Sequence, residues 1–283
     1  MLNRLMECDF DKYIDFAWEL AQDRTKSGYP TYTDGIKTKQ DFITREREAF
    51  LKANEEILLF EQGGQVEGWI HYCALPQDSY LDLCACNIRR GARTALEEFL
   101  SYAQEHFPGY ELYLGFPKCN TEAIALLQEK GFVCIEESFH DVLFLDAYEF
   151  LPEIPEITPV TRENFSHFRT LHDQIREPMY WDSDRLLKSL DTWKIYLYEK
   201  NGSVAGAIYY MDEKVMLEIF GVDFPDSIYN REIFRALLTK ALNEGKRTGA
   251  KCFCFFTDHD SHPTSLELGF RPVGQYVCYW KKI

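Results

Sequence analysis

Along residues 57–72, which read ILLFEQGGQVEGWIHY, an apolar run is followed by a polar stretch with two glycines and then by a second, mostly apolar stretch. Short apolar runs on either side of turn residues are typical of strands, and paired glycines give the backbone the freedom that a tight turn needs. Residues 195–210, IYLYEKNGSVAGAIYY, carry the same pattern around an Asn-Gly turn. The pattern therefore predicts two β-hairpins.

The two hairpins are copies of one sequence. At an offset of 138 residues, identical residues recur at Ile57/Ile195, Leu59/Leu197, Glu61/Glu199, Gly64/Gly202, Val66/Val204, Gly68/Gly206, Ile70/Ile208 and Tyr72/Tyr210. The same offset relates Leu100 to Leu238, Ala103 to Ala241, and Gly131-Phe132 to Gly269-Phe270. Because twice this offset is nearly the length of 283 residues, the pattern indicates a tandem duplication.

Each copy has the same predicted order of elements. Two amphipathic helices precede the hairpin, and a strand, a long helix, a further strand and a short helix ending in Gly-Phe follow it. Closing strands are predicted at 133–145 for the first copy and 275–283 for the second. This order predicts α/β layers over one sheet per copy. The predicted domains are 1–150 and 160–283, joined by a linker at 151–159 that contains three prolines.

Composition and charge narrow the class of protein. An apolar fraction of 46% with 27% charged residues is typical of a folded protein, and the net charge of −15 disfavours nucleic-acid and anionic-membrane partners. Residues 1–150 carry 14 Lys and Arg against 27 Asp and Glu. This acidic half would attract a cationic small molecule or a basic peptide, although solubility explains it equally well.

Cysteine usage and hydropathy bear on location and metal binding. The N-terminal residues lack the apolar core of a signal peptide, and no run of 18 apolar residues occurs, so we expect a cytoplasmic protein. Nine cysteines, an odd number, fit reduced thiols. The pairs at 84/86 and 252/254 have no His at ligand spacing, so we expect buried strand cysteines and no metal.

Residues 120–132, NTEAIALLQEKGF, carry a more specific signal. Together with the order of elements, this stretch resembles the motif N-x-x-A-I-x-L-Y-E-K-x-G-F of the GNAT acyltransferase superfamily, in which tandem fusions are known. The resemblance covers both halves. It implies two tandem GNAT-like domains, each a mixed central sheet flanked by helices, and an acyl-CoA co-substrate, most often acetyl-CoA.

The resemblance also implies where the donor binds. Unpaired N–H groups at a helix start attract a pyrophosphate, and in this family the loop before the long helix resembles [QR]-x-x-G-x-[GA]. The first copy reads NIRRGARTAL at 87–96, with only the central glycine kept. The candidate donor-binding residues are Ile88, Arg89, Arg90, Gly91, Ala92, Arg93, Thr94 and Asn120. A plain solvated helix start, with Arg93 paired to Glu97, is the alternative.

The second copy is a poorer candidate for the donor. Its equivalent loop, GVDFPDSIYN, carries Asp223 and Asp226, which would repel a pyrophosphate. Asn120, in the first copy, would hold pantetheine amides, although capping of the helix alone would justify an Asn there. We therefore expect the first copy to be the donor-binding half.

The catalytic groups are less well marked. Leu127 stands where the family has a Tyr that is thought to protonate the leaving sulfur; a thiolate leaves readily, so this loss slows the reaction without forbidding it. The candidate bases are Asp82 and Glu218. Asp82 reads more simply as a solvent-facing strand residue, whereas Glu218, in an apolar strand, is expected to be buried with a raised pKa.

An insert at 23–39 is expected to be more than ten residues longer than its counterpart in the second copy. In this family the region covers the acceptor, so Tyr29, Tyr32 and Asp34 are candidates for an amine pocket, with a surface loop as the alternative.

Three hypotheses follow for the function. The first is an N-acyltransferase that acts on an amine of a small molecule or peptide by direct attack on the thioester. The second is a catalytically degenerate GNAT-fold module that binds a ligand or a protein. The third is an enzyme with a different donor, such as an aminoacyl-tRNA, which the net charge disfavours. The acceptor and the oligomeric state stay open at this point.

Overall fold

The computed structural model describes residues 1–174, 180–212 and 216–283. The chain forms two compact units, residues 1–138 with 274–283, and residues 139–273. Among the described residues, no helix has both the length and the apolarity needed to cross a bilayer.

The first unit has six strands and four helices. The strands are β1 (Leu2–Arg4), β2 (Glu55–Gln62), β3 (Gln65–Leu75), β4 (Tyr80–Ile88), β5 (Glu111–Pro117) and the last strand of the chain, β12 (Arg271–Lys282), which enters this unit at residue 274. The helices are α1 (Phe10–Ala21), α2 (Lys39–Glu48), α3 (Ala92–His106) and α4 (Thr121–Glu129). The strands are ordered β1-β2-β3-β4-β5-β12, and only β4 and β5 are parallel.

The second unit repeats this plan. Its strands are β6 (Val133–Phe144, in this unit from residue 139), β7 (Ile157–Pro159), β8 (Trp193–Lys200), β9 (Ser203–Asp212), β10 (Met216–Asp223) and β11 (Cys252–Thr257). The helices are α5 (Phe165–His172), α6 (Ser183–Lys188), α7 (Arg231–Thr248) and α8 (Ser261–Glu267). The order is β6-β11-β10-β9-β8-β7, and among the described residues of this unit only β10 and β11 pair in parallel.

The closing strands differ from the sequence-based expectation. Residues 276–282 of β12 pair with β5 of the first unit, and residues 139–144 of β6 pair with β11 of the second unit. Each sheet is thus completed by the strand that follows the other copy. The compact units consequently differ from the expected boundaries at 150 and 160. The pattern of apolar residues along a strand determines which of its faces is buried. It does not determine whether a closing strand pairs with β5 or with β11, because these two strands offer similar edges.

Alternation along the hairpin accounts for the two cores of the first unit. Leu58 and Phe60 pack with α3 and α4, whereas Ile57 and Leu59 pack with α1 and α2 on the opposite face of the sheet. The same hairpin in the second unit also divides its apolar side chains between two clusters. The predicted hairpins and the α/β layering are confirmed.

Candidate functional site

The parallel pair β4 and β5 separates after three paired residues. Pairing joins Tyr80 to Glu111, Leu81 to Leu112 and Asp82 to Tyr113, although β4 continues to Ile88 and β5 to Pro117. We call the region between residues 83–88 of β4 and 114–117 of β5 the strand opening. Where two neighbouring strands separate, their N–H and C=O groups face each other but no longer form hydrogen bonds between the strands. Another segment of the chain or a ligand must therefore bond to these groups.

In the first unit the chain itself satisfies these groups. The N–H of Ile88 donates to the carbonyl of Lys26 at 2.8 Å, and the N–H of Gly28 donates to the carbonyl of Cys86 at 2.7 Å. On the other side, the N–H of Tyr29 donates to the carbonyl of Gly115 at 2.9 Å. Residues 26–29, which we call the inserted segment, therefore bond to both strands of the opening.

Asn120 connects the opening to α4. Its Oδ1 accepts the N–H of Ala123 at 3.4 Å, which caps the helix, and its Nδ2 donates to the carbonyl of Ser27 at 3.1 Å. Asn120 is buried, and so is Ser27. Asn120 thus caps the helix, which was the simpler of its two alternatives, and it also holds a carbonyl of the inserted segment.

The N-terminus of α3 lies at the end of the opening. Gly91 precedes the helix with φ of +70°, a left-handed conformation that glycine adopts without a Cβ penalty. The N–H of Arg93 donates to the carboxylate of Glu122 at 3.2 Å, so an acidic side chain already lies at this helix start. Ala92 is buried and Thr94 is exposed. A helix start that holds a carboxylate has the electrostatics to hold a phosphate.

The three arginines of the loop are engaged to different degrees. Arg89 and Arg90 both bind the buried carboxylate of Glu67, with Nε–Oε distances of 2.8 and 3.0 Å, and these contacts lower the pKa of Glu67. Arg93 forms an exposed ion pair with Glu129, and its Nε lies 3.9 Å from Glu97. Exposed ion pairs are weak. Of the three, Arg93 is therefore the most readily available to an incoming anion.

Asp82 lies at the last paired position before the opening. Burial is the main cause that raises its pKa to about 6, against a bond from the N–H of Leu83 and the nearby Arg45, which lower it. A carboxylate with this pKa is ionised at neutral pH and still able to take a proton. By solvent accessibility the side chain of Asp82 is partly exposed, so it is neither fully solvent-facing nor fully buried, and its raised pKa reflects the apolar surroundings of the rest of the side chain.

A buried charged cluster lies on the α2 side of β3 and β4. His71 bonds Glu46 at 3.1 Å through Nδ1 and Glu55 at 3.0 Å through Nε2. Burial lowers the pKa of His71, but these carboxylates outweigh it and raise the pKa to about 11. Arg45 donates to Glu55 at 2.6 Å and to the sulfur of Cys84 at 3.1 Å.

This charged cluster also contains three potential metal ligands. Among the described residues, ligand atoms of Glu55, His71 and Cys84 lie within 4.8 Å of one another. The guanidinium of Arg45 contacts two of the three, and a cation would be repelled by it. The donor set therefore suits a buried ion-pair network better than a metal.

The predicted acceptor residues have separate environments. The ring of Tyr29 packs edge-on against Tyr276 at a centroid distance of 4.7 Å. Tyr32 is buried between Trp18 and Phe42, and Asp34 is buried and accepts the N–H of Ile36 at 2.9 Å. The connection that holds them, 22–38, has seventeen residues. The expected difference in length from the second copy involves residues 175–179, which lie outside the described residues.

The second unit has its own acidic residue at the equivalent position. Asp82 pairs with Cys73 on β3, and Glu218 pairs with Met211 on β9; Cys73 and Met211 are related by the 138-residue offset. Glu218 is partly exposed, in contrast to the buried position expected from the apolar sequence around it.

The loop before α7 differs from its counterpart before α3. Asp223 is buried and bonds Nδ1 of His172 at 2.7 Å, so the expected repulsion of a pyrophosphate applies to Asp226 alone. Asn230 caps α7 by accepting two backbone N–H groups, each at 3.1 Å. This helix start is satisfied by a neutral side chain of the same loop.

The position of the missing Tyr is part of the core in both units. Leu127 is fully buried in the cluster of α3 and α4, and Ser265, at the same offset, is fully buried and donates to the carbonyl of Ser261 at 3.2 Å. Neither side chain supplies a group that protonates a leaving thiolate.

Comparison with known proteins identifies the fold. No protein-family model and no curated protein matches the chain. Among solved structures, the GCN5-related N-acetyltransferase of Sphaerobacter thermophilus is 13% identical over 100% of this chain and 95% of its own, with a TM-score of 0.66. A tandem GNAT protein from the clavulanic acid biosynthesis pathway is 14% identical over 100% of this chain and 98% of its own, with a TM-score of 0.58. The chain has a tandem GNAT fold.

A further neighbour has the same extent. A Drosophila protein is 14% identical over 98% of this chain and 97% of its own, with a TM-score of 0.60. At these identities the similarity establishes the tandem GNAT fold, and the chemistry has to be argued from the residues of this chain.

Sequence reasoning missed two acidic residues that shape the site. Glu67 occupies Arg89 and Arg90, and Glu122 lies at the start of α3. Glu67 carried a signal, because it is a charged residue at an inward position of an otherwise apolar strand, where it needs partners. Glu122 carried none, since its contact depends on how α4 packs against α3.

Proposed function

We propose that the chain is an acyl-CoA-dependent N-acyltransferase whose donor lies along the strand opening of the first unit, with an amine of a small molecule or peptide as acceptor. The observation that carries this proposal is the opening itself. It offers backbone donors and acceptors to an extended, amide-bearing chain and runs from Asp82 to the helix start at Arg93.

The dimensions suit such a donor. Ile88 lies six positions after Asp82 on β4, and a strand rises about 3.3 Å per residue, so the opening is about 20 Å long. A thioester at the Asp82 end and a pyrophosphate at the α3 end would be joined by a chain with two amides. Acetyl-CoA has this chemistry: an activated acyl group, amides in a linear arm and an anionic end.

Asp82 is assigned the role of base. The amine nitrogen attacks the thioester carbon, the C–S bond breaks, and CoA leaves as a thiolate. The ammonium proton of the acceptor passes to the Asp82 carboxylate and then to solvent. Since the thiolate is a tolerable leaving group near neutral pH, the reaction does not require a Tyr at position 127.

The binding test compares two equivalent ion pairs. Arg93 pairs with Glu129 in the first unit, and Arg231 pairs with Glu267 at 2.5 Å in the second; both residues of each pair are related by the 138-residue offset. Calorimetric titration with acetyl-CoA is made on the wild type, Arg93→Glu and Arg231→Glu. We expect Arg93→Glu to weaken binding at least tenfold and the matched Arg231→Glu to leave it unchanged.

The alternative outcomes are informative. Weakened binding in Arg231→Glu alone would place the donor in the second unit. The activity assay follows thiol release from acetyl-CoA with a panel of amines, and Asp82→Asn is compared with Glu218→Gln. Loss of activity in Glu218→Gln alone would move the base to the second unit.

A second candidate function is favoured by one observation. The inserted segment and Glu122 occupy the groups that a donor would use, which is the arrangement expected of a catalytically degenerate GNAT-fold module that binds a ligand or protein elsewhere. If acetyl-CoA bound neither to the wild type nor to a variant in which the opening is cleared, this result would support the module and overturn the enzyme.

A further inference from the structure

Residues 26–29 have the position and the bonding pattern of a ligand. They lie in the strand opening and bond to Cys86 and Ile88 of β4 and to Gly115 of β5. Asn120 holds the carbonyl of Ser27 from the α4 side. An amide-bearing arm that ran from Asp82 to the α3 start would need these same groups.

Close packing excludes simultaneous occupancy. A Cβ added to Gly28 would lie 3.2 Å from the Cβ of Cys86 and 3.4 Å from the carbonyl oxygen of Gly115. Ser27 and Gly28 are buried, and Cys86 beneath them is only 2% exposed. Because the space between the strands is filled to contact distance, a second chain cannot enter until the segment leaves.

We propose that the inserted segment, residues 26–29, is an internal competitor of the acyl-CoA arm, so that the transferase is held closed until this segment leaves the strand opening. The inference rests on the proposed function. The chemistry of the ligand follows from the segment it replaces: a linear chain with alternating amide donors and acceptors. The apparent dissociation constant of acyl-CoA then equals its intrinsic dissociation constant divided by the fraction of protein molecules in which the opening is free.

The segment belongs to the connection between α1 and α2, residues 22–38, and the residues on either side of it are anchored outside the opening. Its flanks are held independently: the turn at Asp23, whose Oδ1 accepts the N–H of Thr25 at 2.9 Å, and the buried ring of Tyr32. The segment lies between two anchors that do not depend on the opening.

The first experiment displaces the segment. Gly28→Val adds a branched side chain where even a Cβ is at the limit of contact, so the segment is expelled in the folded variant. Acetyl-CoA affinity is measured by calorimetry on this variant and on Lys37→Ala, a control in the same connection outside the opening. We expect the dissociation constant of Gly28→Val to fall at least tenfold and that of Lys37→Ala to stay within twofold of the wild type.

The second experiment locks the segment. In Gly28→Cys the two Cβ atoms at positions 28 and 86 would lie 3.2 Å apart, a few tenths of an ångström short of the usual range for a disulfide. We expect the oxidised variant to lose acetyl-CoA binding and to recover it with reductant. Wild-type protein treated with the same oxidant controls for the other cysteines, and its binding should not change.

A readout that needs no donor separates this inference from the proposed function. The thiol of Cys86 is buried, which raises its pKa to about 12, so its alkylation reports opening. Pulse labelling followed by mass spectrometry should show faster modification of Cys86 in Gly28→Val than in the wild type.

The outcomes are distinct. Equal labelling rates, or a folded Gly28→Val that binds acetyl-CoA no better than a binding-competent wild type, would overturn the internal competitor. Faster labelling without binding by any variant would overturn the acyl-CoA donor itself and, with it, the competitor.

Discussion

Asp82→Asn removes a carboxylate whose ionised form lowers the stability of the folded protein. This substitution tests the candidate site most directly. The pKa of Asp82 is raised to about 6 from 3.8, chiefly by burial. One pKa unit corresponds to 1.36 kcal/mol, so keeping Asp82 ionised destabilises the folded protein by about 3 kcal/mol. Asn has nearly the same shape and no charge, and it escapes this penalty.

The direction of the effect with pH follows from linkage. Since the folded-state pKa lies above the unfolded one, the folded state binds the proton more tightly, and stability is lost as pH rises from about 4 to about 6. The stabilisation of Asp82→Asn over the wild type should therefore grow from about 1.5 kcal/mol at pH 5 to about 3 kcal/mol at pH 8.

The assay is urea denaturation of wild type and Asp82→Asn at both pH values. Glu105→Gln, which removes an exposed charge from α3, serves as the control and should show no comparable difference. The same Asp82→Asn protein should lose about 10²- to 10⁴-fold in the rate of acyl transfer, as expected when a general base is removed. A variant that is destabilised, or equally stabilised at pH 5 and pH 8, would refute a penalty due to burial.

Three further predictions concern neighbouring residues. His71→Gln should destabilise the protein by about 3–5 kcal/mol at pH 7 because it leaves the carboxylate of Glu46 buried without its cation, whereas Glu55 keeps Arg45. The wild type should lose this advantage as pH rises toward 11, and a difference independent of pH between 7 and 10 in urea melts would contradict it. Leu127→Tyr should cost about 1–3 kcal/mol by overpacking, without faster thiol release; a gain in rate would show that the missing acid limits the reaction. Glu122→Gln should tighten acetyl-CoA binding about two- to fivefold, because it removes a negative charge that competes for the α3 start and such a charge is worth about 0.3–1 kcal/mol. Unchanged calorimetric affinity would place the pyrophosphate elsewhere.

The hairpins show how much of the fold is local information. Apolar runs on both sides of a glycine turn at 57–72 and 195–210 specified strands, and the identical residues at an offset of 138 specified two copies of one plan. These features are readable because side-chain periodicity reflects which face of an element is buried, and burial is decided residue by residue along the strand.

The closing strands show where local information ends. β6 and β12 read as the last strands of their own copies, yet each pairs in the sheet of the other copy. Pairing is chosen by competition between two similar edges, and the pattern of one strand contains nothing about the edge it will meet.

The candidate site divides in the same way. The sequence placed Asp82, Gly91 and Arg93 along one predicted strand, loop and helix start, and Asn120 at the start of the next predicted helix. In the structure Asp82 lies at the last paired position of β4 and β5, Gly91 precedes α3, and Asn120 precedes α4. The sequence contained no indication that Asp82 would titrate near pH 6, because that depends on burial by side chains that are distant in sequence.

The inserted segment is the clearest case of a property decided by tertiary structure alone. Residues 26–29 read as part of a polar loop over an acceptor. Their N–H and C=O groups bond instead to Cys86 and Ile88 of β4 and to Gly115 of β5, which lie far along the chain. Backbone hydrogen bonds carry no sequence signature, since every non-proline residue offers the same donor and acceptor. The sequence by itself determined the duplicated α/β plan and the position of the helix start; which chain lies between the parted strands was decided only when distant segments packed together.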